Sequence, residues 1–126
     1  MTADAMTLEQ AASEVVSAYL DQHDPRYLAE DIVVDVVAAG RVRVGRAAAA
    51  ALVHDVRHRL FRQVEETVTA THVAGDVVVV ELVLSGMPAQ ATHSGATRPV
   101  TVRAAAVATV AGGEIRSIRI YFDRGA

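Results

Sequence analysis

The second half of the sequence is a succession of β-branched runs broken by short turn signals, and this pattern constrains the fold more than any other feature. Residues 64–73, VEETVTATHV, are followed by AGD and then by the run VVVVELVLS at 77–85. Two more runs, at 100–110 and 114–123, are separated by AGG. Valine, isoleucine and threonine favour strands, and short glycine-containing turns favour hairpins. The sequence therefore predicts two antiparallel hairpins joined by a polar loop at 86–99.

An amphipathic helix is predicted at the start of the chain, over residues 7–24. Thr7 is a good N-cap, and Gln10 three residues later completes a capping-box pattern. Apolar residues then recur at helical spacing as far as Leu20.

Two further helical segments and one strand are predicted before the hairpins. Pro25 opens a short helical piece over residues 25–31, because proline is tolerated in the first turn. Residues 32–40, IVVDVVAAG, are typical of a strand, and the apolar stripe within 44–61 indicates a third helix. Helices followed by a run of strands indicate an α+β domain with the helices on one face of a sheet. The length of 126 residues suits one domain over 1–126.

The charged residues exclude several classes of function. All twelve basic residues are arginines, they form no cluster, and the net charge is -3, so a basic stripe for nucleic acid is absent from the sequence. The sequence contains neither cysteine nor lysine, which excludes thiolate chemistry and Schiff-base chemistry. We expect no cofactor, so any catalysis must use Asp, Glu, His, Tyr, Ser, Thr or Arg.

The sequence also predicts no contact with a membrane. The first ten residues carry acids and lack the basic and apolar regions of a signal peptide. No apolar stretch approaches the roughly 20 residues that cross a bilayer. We therefore expect a cytoplasmic protein.

Three stretches resemble the nuclear transport factor 2-like superfamily, and specifically its SnoaL-like polyketide cyclase branch. They are LAEDIVVDV ahead of GRAAAAAL, DVVVVELVLSG, and GGEIRSIRIYFD near the end. The resemblance implies a cone in which a curved, mostly antiparallel sheet packs against three helices and encloses an apolar pocket. It fixes the fold better than the function, because related folds carry cyclases, isomerases, hydrolases and proteins without catalysis.

Family positions suggest which residues face that pocket. Asp123 matches the general acid/base aspartate at the end of the last strand of SnoaL-type cyclases, although it precedes the chain end and could instead be solvated. No histidine occupies the matching positions 107–109 on the preceding strand. The acids, the arginine and the polar groups of limonene epoxide hydrolases are also replaced, which argues against epoxide hydrolysis by that route. The pocket set implied by the resemblance is Tyr19, Val34, Val36, Val79, Val83, His93, Val102, Ile120 and Phe122.

Glu81 is the acid that stands out, because it lies within a run of valine and leucine. Alternation along a strand puts it on one face with Val79 and Val83, and the resemblance turns that face towards the pocket. A carboxylate among valines would have a raised pKa, as a general acid/base near neutrality requires. The alternative is an ion pair with Arg103 or Arg119 at a dimer face.

The remaining polar residues carry weaker predictions. HDVRH places His54 and His58 one turn apart, as in a metalloprotease helix, but a third zinc ligand is lacking, so a solvated helix face is favoured and we expect no metal. His93 belongs to a short family-like THSG turn or to a plain loop. Tyr19 is either a core residue or a hydroxyl in the pocket. His23 and His72 resemble surface residues beside turns.

Two functions remain open from the sequence. The first is a small cofactor-free cyclase or isomerase, in which Glu81 and Asp123 move protons on a hydrophobic polyketide-like or terpenoid-like molecule. The second is a binding protein of the same fold that holds such a ligand without converting it. In both cases we expect a homodimer, because the strand runs are apolar on both faces while the helices can cover only one.

Overall fold

Residues 7–88 and 99–122 are described by the structure, which is a computed structural model. Two predicted site residues, His93 and Asp123, lie outside these residues, as does most of the predicted polar loop. Their roles stay predictions.

Helix α1, Leu8–Gln22, begins at the predicted capping box. The Thr7 hydroxyl accepts the backbone N–H of Gln10, and the Gln10 side chain accepts the backbone N–H of Thr7, each at 3.0 Å. Two N–H groups that the first helical turn cannot satisfy internally therefore have partners. The apolar stripe of the helix buries Ala12, Val16 and Tyr19.

The second predicted helix is wrong beyond its first turn. A single 3₁₀ turn covers Pro25–Tyr27, and strand β1, Leu28–Val36, starts at once. Leu28 and Ala29 are fully buried. Burial in the sheet therefore outweighs the helical preference that the proline suggests.

Strand β2, Arg41–Val44, was not predicted, whereas helix α2, Arg46–Leu60, confirms the third predicted helix. Gly45 separates them with φ of 102°, a conformation that favours glycine. Another 3₁₀ turn, Val37–Ala39, links β1 to β2. Within the described part of the chain there are thus two α-helices rather than three.

The remaining strands confirm the two predicted hairpins. They are β3 (Phe61–Ala74), β4 (Val77–Pro88), β5 (Val100–Ala111) and β6 (Glu114–Phe122). The described strands form one sheet in the order β2-β1-β6-β5-β4-β3. All neighbours are antiparallel except β1 and β6, which are parallel. The mostly antiparallel α+β architecture is therefore as predicted.

Gly86 shows why β4 runs further than predicted. It lies in the strand, opposite Val64, rather than opening the loop. A Cβ at this position would overlap the backbone carbonyl of Gln63, next to a register shift in β3. Glycine therefore permits a close approach of two strands at an irregularity, and such irregularities bend a sheet.

The sheet has one face covered by the helices and one face without cover from the described residues. Along β4, Val78, Val80, Leu82 and Leu84 are buried on the helix side, with buried residues of β1, β5, β6 and both helices. We call this the inner face and the opposite one the outer face. None of the described helices is long and apolar enough to cross a membrane.

Candidate functional site

A cavity of about 70 Å³ lies between the two helices and the inner face of β3 to β6. Its walls are mostly apolar and come from six elements and the residue that caps α1. The lining residues are Val16, Tyr19, Leu20, His23, Val53, Val56, Arg57, Glu66, Leu82, Leu84, Ala104, Ala105, Ala106, Ala108, Ile115, Ile118, Ile120 and Phe122.

Small side chains on β5 leave the space for this cavity. Ala104, Ala106 and Ala108 alternate along the inner face of β5, between larger residues of β4 and β6. An alanine side chain ends at Cβ, so three of them in a row leave a trough beneath the helices.

Glu66 is the carboxylate that faces the cavity. It lies on β3 opposite Leu84, whose side chain is buried on the inner face. Only 12% of its side chain is exposed. Its oxygen Oε2 accepts a hydrogen bond of 2.6 Å from Nη1 of Arg57, which reaches down from α2. The hydrogen bond is charge-assisted and largely shielded from water, so removing either partner would leave a poorly solvated charge.

His23 completes a polar trio at this end of the cavity. Its Nε2 lies 3.6 Å from Oε2 of Glu66 and 3.3 Å from Nη1 of Arg57. Because a guanidinium can only donate, Nε2 is the accepting nitrogen in this arrangement. Burial and the nearby Arg57 charge lower the pKa of His23, and the Glu66 charge partly opposes them. The imidazole is therefore held neutral and able to accept a proton.

The backbone of His23 is held in an unusual conformation. It caps α1 with φ of 49°, in the left-handed region, and its N–H donates to the carbonyl of Tyr19 at 2.6 Å. Among the described residues it is the one non-glycine with positive φ. Left-handed residues commonly end helices, and histidine adopts this conformation more readily than most other non-glycine residues.

Tyr19 lies beside the trio on the wall of the cavity. The residue is 5% exposed, and its ring contacts the His23 ring edge-on at 5.4 Å between centroids. Burial, the largest influence, raises the pKa of Tyr19 to about 12. No hydrogen bond joins its hydroxyl to another described side chain or backbone group. The hydroxyl is therefore a protonated donor that a ligand in the cavity can use.

The predicted pocket residues divide into three groups. Tyr19, Ile120 and Phe122 line the cavity, and their contact with a ligand stays a prediction. Val34 and Val36 are fully buried in the core, and Val102 packs against it, away from the cavity lining. Val79 and Val83 are on the outer face.

The prediction that Glu81 faces the cavity is wrong. Its side chain is 53% exposed on the outer face and lies 2.7 Å from Nε2 of His72. The alternative partners, Arg103 and Arg119, form no ion pair with it. Because β4 is apolar on both faces, alternation alone could not show which set of residues is buried.

Sequence reasoning missed the trio of His23, Arg57 and Glu66. Glu66 could have been recognised from the sequence, since in a strand it lies on the same face as the apolar residues Val64 and Val68. His23 was interpreted as a surface residue, whereas 31% of its side chain is exposed and it lines the cavity. Arg57 lies on a helix rich in charged residues, and no pattern in the sequence distinguishes it.

The two histidines of HDVRH stay on the exposed side of α2. The rings of His54 and His58 lie 4.1 Å apart. Asp55 between them pairs with Arg41 and Arg59 rather than with either ring. Within residues 7–88 and 99–122, no group of three or more His, Cys, Asp or Glu could hold a metal ion.

Comparisons with known proteins place the chain in a family. The model of the SnoaL-like domain matches residues 15–118. A sequence comparison with curated proteins found no match.

Solved structures share the fold over nearly the whole chain. A protein of Jannaschia sp. CCS1 named as a SnoaL-like polyketide cyclase superposes with a TM-score of 0.78 at 21% identity, covering 97% of this chain and 92% of that one. A Catenulispora acidiphila protein with a ketosteroid isomerase-like fold gives 0.72 at 24%, covering 88% and 86%. A limonene epoxide hydrolase-like enzyme of M. tuberculosis gives 0.72 at 21%, covering 94% and 83%. At these identities the likeness establishes the fold and not the reaction.

Proposed function

Because the chain belongs to the SnoaL-like domain family, we propose that it is a cofactor-free cyclase or isomerase that moves protons on a small apolar molecule in the cavity. One observation carries the proposal. A neutral imidazole next to a shielded carboxylate, and a protonated phenol, meet at one end of an otherwise apolar cavity. Acid/base catalysis needs one group that can accept a proton and another that can donate one at the same pH, and different environments provide this difference.

The geometry supports a specific sequence of proton transfers. A carbonyl oxygen of the substrate accepts a hydrogen bond from the Tyr19 hydroxyl, and Nε2 of His23, once its contact with Nη1 of Arg57 opens, removes a proton from the adjacent carbon. The imidazolium that forms is stabilised by the Glu66 carboxylate at 3.6 Å. The resulting enolate either takes the proton back at another carbon, which is isomerisation, or attacks a second carbonyl to close a ring, and the alkoxide that forms then takes the proton from the His23 imidazolium. Catalysis then rests on positioning and on stabilising the developing negative charge.

The size of the cavity limits what can bind. Pockets for drug-sized ligands commonly enclose about 300–1,000 Å³, whereas this one encloses about 70 Å³. A fused-ring polyketide does not fit inside it. We therefore propose a ligand with a small apolar body, or a larger one that inserts only part of its structure.

Proton exchange at the α-carbons of small ketones tests the proposal without the natural substrate. Cyclopentanone in deuterated buffer, followed by NMR, should exchange faster with the protein than without it. Tyr19→Phe should slow the exchange by about 10²- to 10³-fold, the usual effect of removing one oxyanion donor. His23→Asn should slow it by about 10²- to 10⁴-fold. Asparagine is the suitable replacement because it tolerates positive φ.

The second candidate, a binding protein, is favoured by one specific feature. The charges of Arg57 and Glu66 are paired with each other, so the cavity is formed without unpaired charge. If cyclopentanone shifts the amide resonances of β5 but the protein does not accelerate exchange of its α-protons, this candidate is favoured. Exchange that Tyr19→Phe and His23→Asn leave unchanged would contradict the enzyme proposal.

We also propose a homodimer that forms through the outer face. Val33, Val42, Val44 and Tyr121 are between 39% and 65% exposed there. Arg103 and Arg119 have no ion-pair partner among the described residues, so a second copy could supply carboxylates to them. Exposed apolar area that includes a tyrosine and arginines is typical of an interface. Sedimentation should show a dimer at micromolar concentration, and a monomer would contradict the proposal.

A further inference from the structure

A second concavity lies on the outside of α2, next to the cavity. It encloses about 410 Å³ between α2 and the segment that follows α1. We call it the basic groove, because it is lined by Arg57 and three histidines. The lining residues are Tyr19, His23, Pro25, Ala50, Val53, His54, Arg57 and His58.

The basic groove and the cavity share part of their walls. Tyr19, His23, Val53 and Arg57 line both. The apolar cavity and the polar groove therefore adjoin each other along these four residues. A ligand with an apolar body and a polar end could occupy both at once.

The polar lining of the basic groove suits an anion. No carboxylate lines it: Glu66 contacts Arg57 only at Nη1, from the cavity side, and Asp55 pairs with two arginines that do not line the groove. Arg57 uses only Nη1 in its contacts with described residues, which leaves the Nε and Nη2 donors without a partner there.

The two exposed histidines add further donors. The rings of His54 and His58 lie 4.1 Å apart, and neither forms a hydrogen bond or an ion pair with another described residue. The ring N–H groups of both histidines are therefore available as donors to an anion that lies beside them.

We propose that the basic groove binds the carboxylate of a ligand whose apolar body occupies the cavity, so that the substrate class is a small apolar carboxylic acid. This inference rests on the proposed use of the cavity. The carboxylate contacts His54, His58 and the free donors of Arg57, while the reacting carbon lies beside Tyr19 and His23.

Matched ligands test the inference. Pentanoate and pentan-1-ol share an apolar chain and differ in the carboxylate, and both are titrated into the ¹⁵N-labelled protein. We expect both to shift the amide resonances of Ala104 to Ala108, and only pentanoate to shift those of His54 to His58. Pentanoate should bind about 10- to 100-fold more tightly, the usual effect of hydrogen bonds to charged groups.

Two variants identify the source of the preference. The double variant His54→Ala/His58→Ala should reduce the preference for pentanoate about threefold and leave pentan-1-ol affinity unchanged, since it removes only partly exposed contacts to the carboxylate. His72→Ala, which removes an exposed histidine on the outer face, is the control and should change neither affinity.

The outcomes separate this inference from the proposed function. If pentan-1-ol shifts the β5 amides but pentanoate binds no more tightly, the inference is wrong and the cavity proposal stands. A preference for pentanoate that the double variant retains in full also overturns the inference. If neither ligand shifts the β5 amides, both proposals fail.

Discussion

Tyr19→Phe should make the protein less sensitive to alkaline pH. In the folded protein, burial raises the pKa of Tyr19 from its ordinary value of 10.0 to about 12. As pH rises through the ordinary value, an unfolded chain loses this proton while the folded chain keeps it. The folded state therefore binds more protons, and the free energy of unfolding falls as pH increases. Phenylalanine cannot ionise, so this contribution disappears in the variant.

The size of the effect follows from the two pKa values. Two units correspond to about 2.7 kcal/mol when the loss is complete. At about pH 11 the unfolded tyrosine is largely ionised and the folded one largely protonated, so the loss relative to about pH 8 is about 1.4 kcal/mol. Tyr19 is 5% exposed, so solvent does little to reduce this value.

Urea unfolding followed by far-ultraviolet circular dichroism measures the effect. The free energy of unfolding is determined for the wild type and for Tyr19→Phe at about pH 8 and about pH 11. Each protein loses some stability between the two pH values, and the difference between the two losses is the contribution of Tyr19 ionisation. We expect the wild type to lose about 1.4 kcal/mol more than the variant. Equal losses would mean that the Tyr19 hydroxyl is hydrated, and the donor role proposed for it would then lack its physical basis.

Three further predictions concern other parts of the molecule. The pKa of His23 is lowered in the folded state, so an unfolded chain takes up this proton at a higher pH than the folded chain does. The free energy of unfolding should therefore fall as pH decreases from about 7 to about 5, and it should fall by less in His23→Asn than in the wild type. Gly86→Ala should destabilise the fold by at least about 2 kcal/mol in urea unfolding, because its Cβ would displace the Gln63 backbone; a loss near zero would contradict the close approach. Glu81→Gln should lower stability by less than about 1 kcal/mol, since the His72 pair is exposed; a larger loss would show that the pair is buried by a partner.

Local signals predicted most of the architecture. The capping box of Thr7 and Gln10 located the start of α1, and the AGD and AGG turns located both hairpins. Each of these features depends on residues close together in the sequence, which is why it could be predicted.

Features that depend on distant residues were missed. Strand β2 is four residues long, and its hydrogen bonds to β1 stabilise it more than its own composition does. The segment from Leu28 to Asp31 continues as strand rather than helix because β1 pairs with β6, far along the chain.

The candidate site was predicted only in part for a related reason. Tyr19, Ile120 and Phe122 were placed in the cavity, but the acid chosen was Glu81 rather than Glu66. In a strand that is apolar on both faces, a single charged residue does not reveal which of the two faces is buried against the helices. The face is decided by where α1 and α2 pack, and no residue of β4 encodes that.

The same substitution on opposite faces of the sheet tests the assignment of the site most directly. Glu66→Gln and Glu81→Gln are chemically identical changes, one at the cavity and one in an exposed pair. The rate of α-proton exchange of cyclopentanone is measured for both variants and the wild type, after circular dichroism has shown that all three are folded. We expect Glu66→Gln to lose about 10²- to 10³-fold in rate, the usual effect of removing one group that stabilises developing charge, and Glu81→Gln to match the wild type. A Glu66→Gln variant as active as the wild type, or a loss confined to Glu81→Gln, would contradict a catalytic site at the cavity.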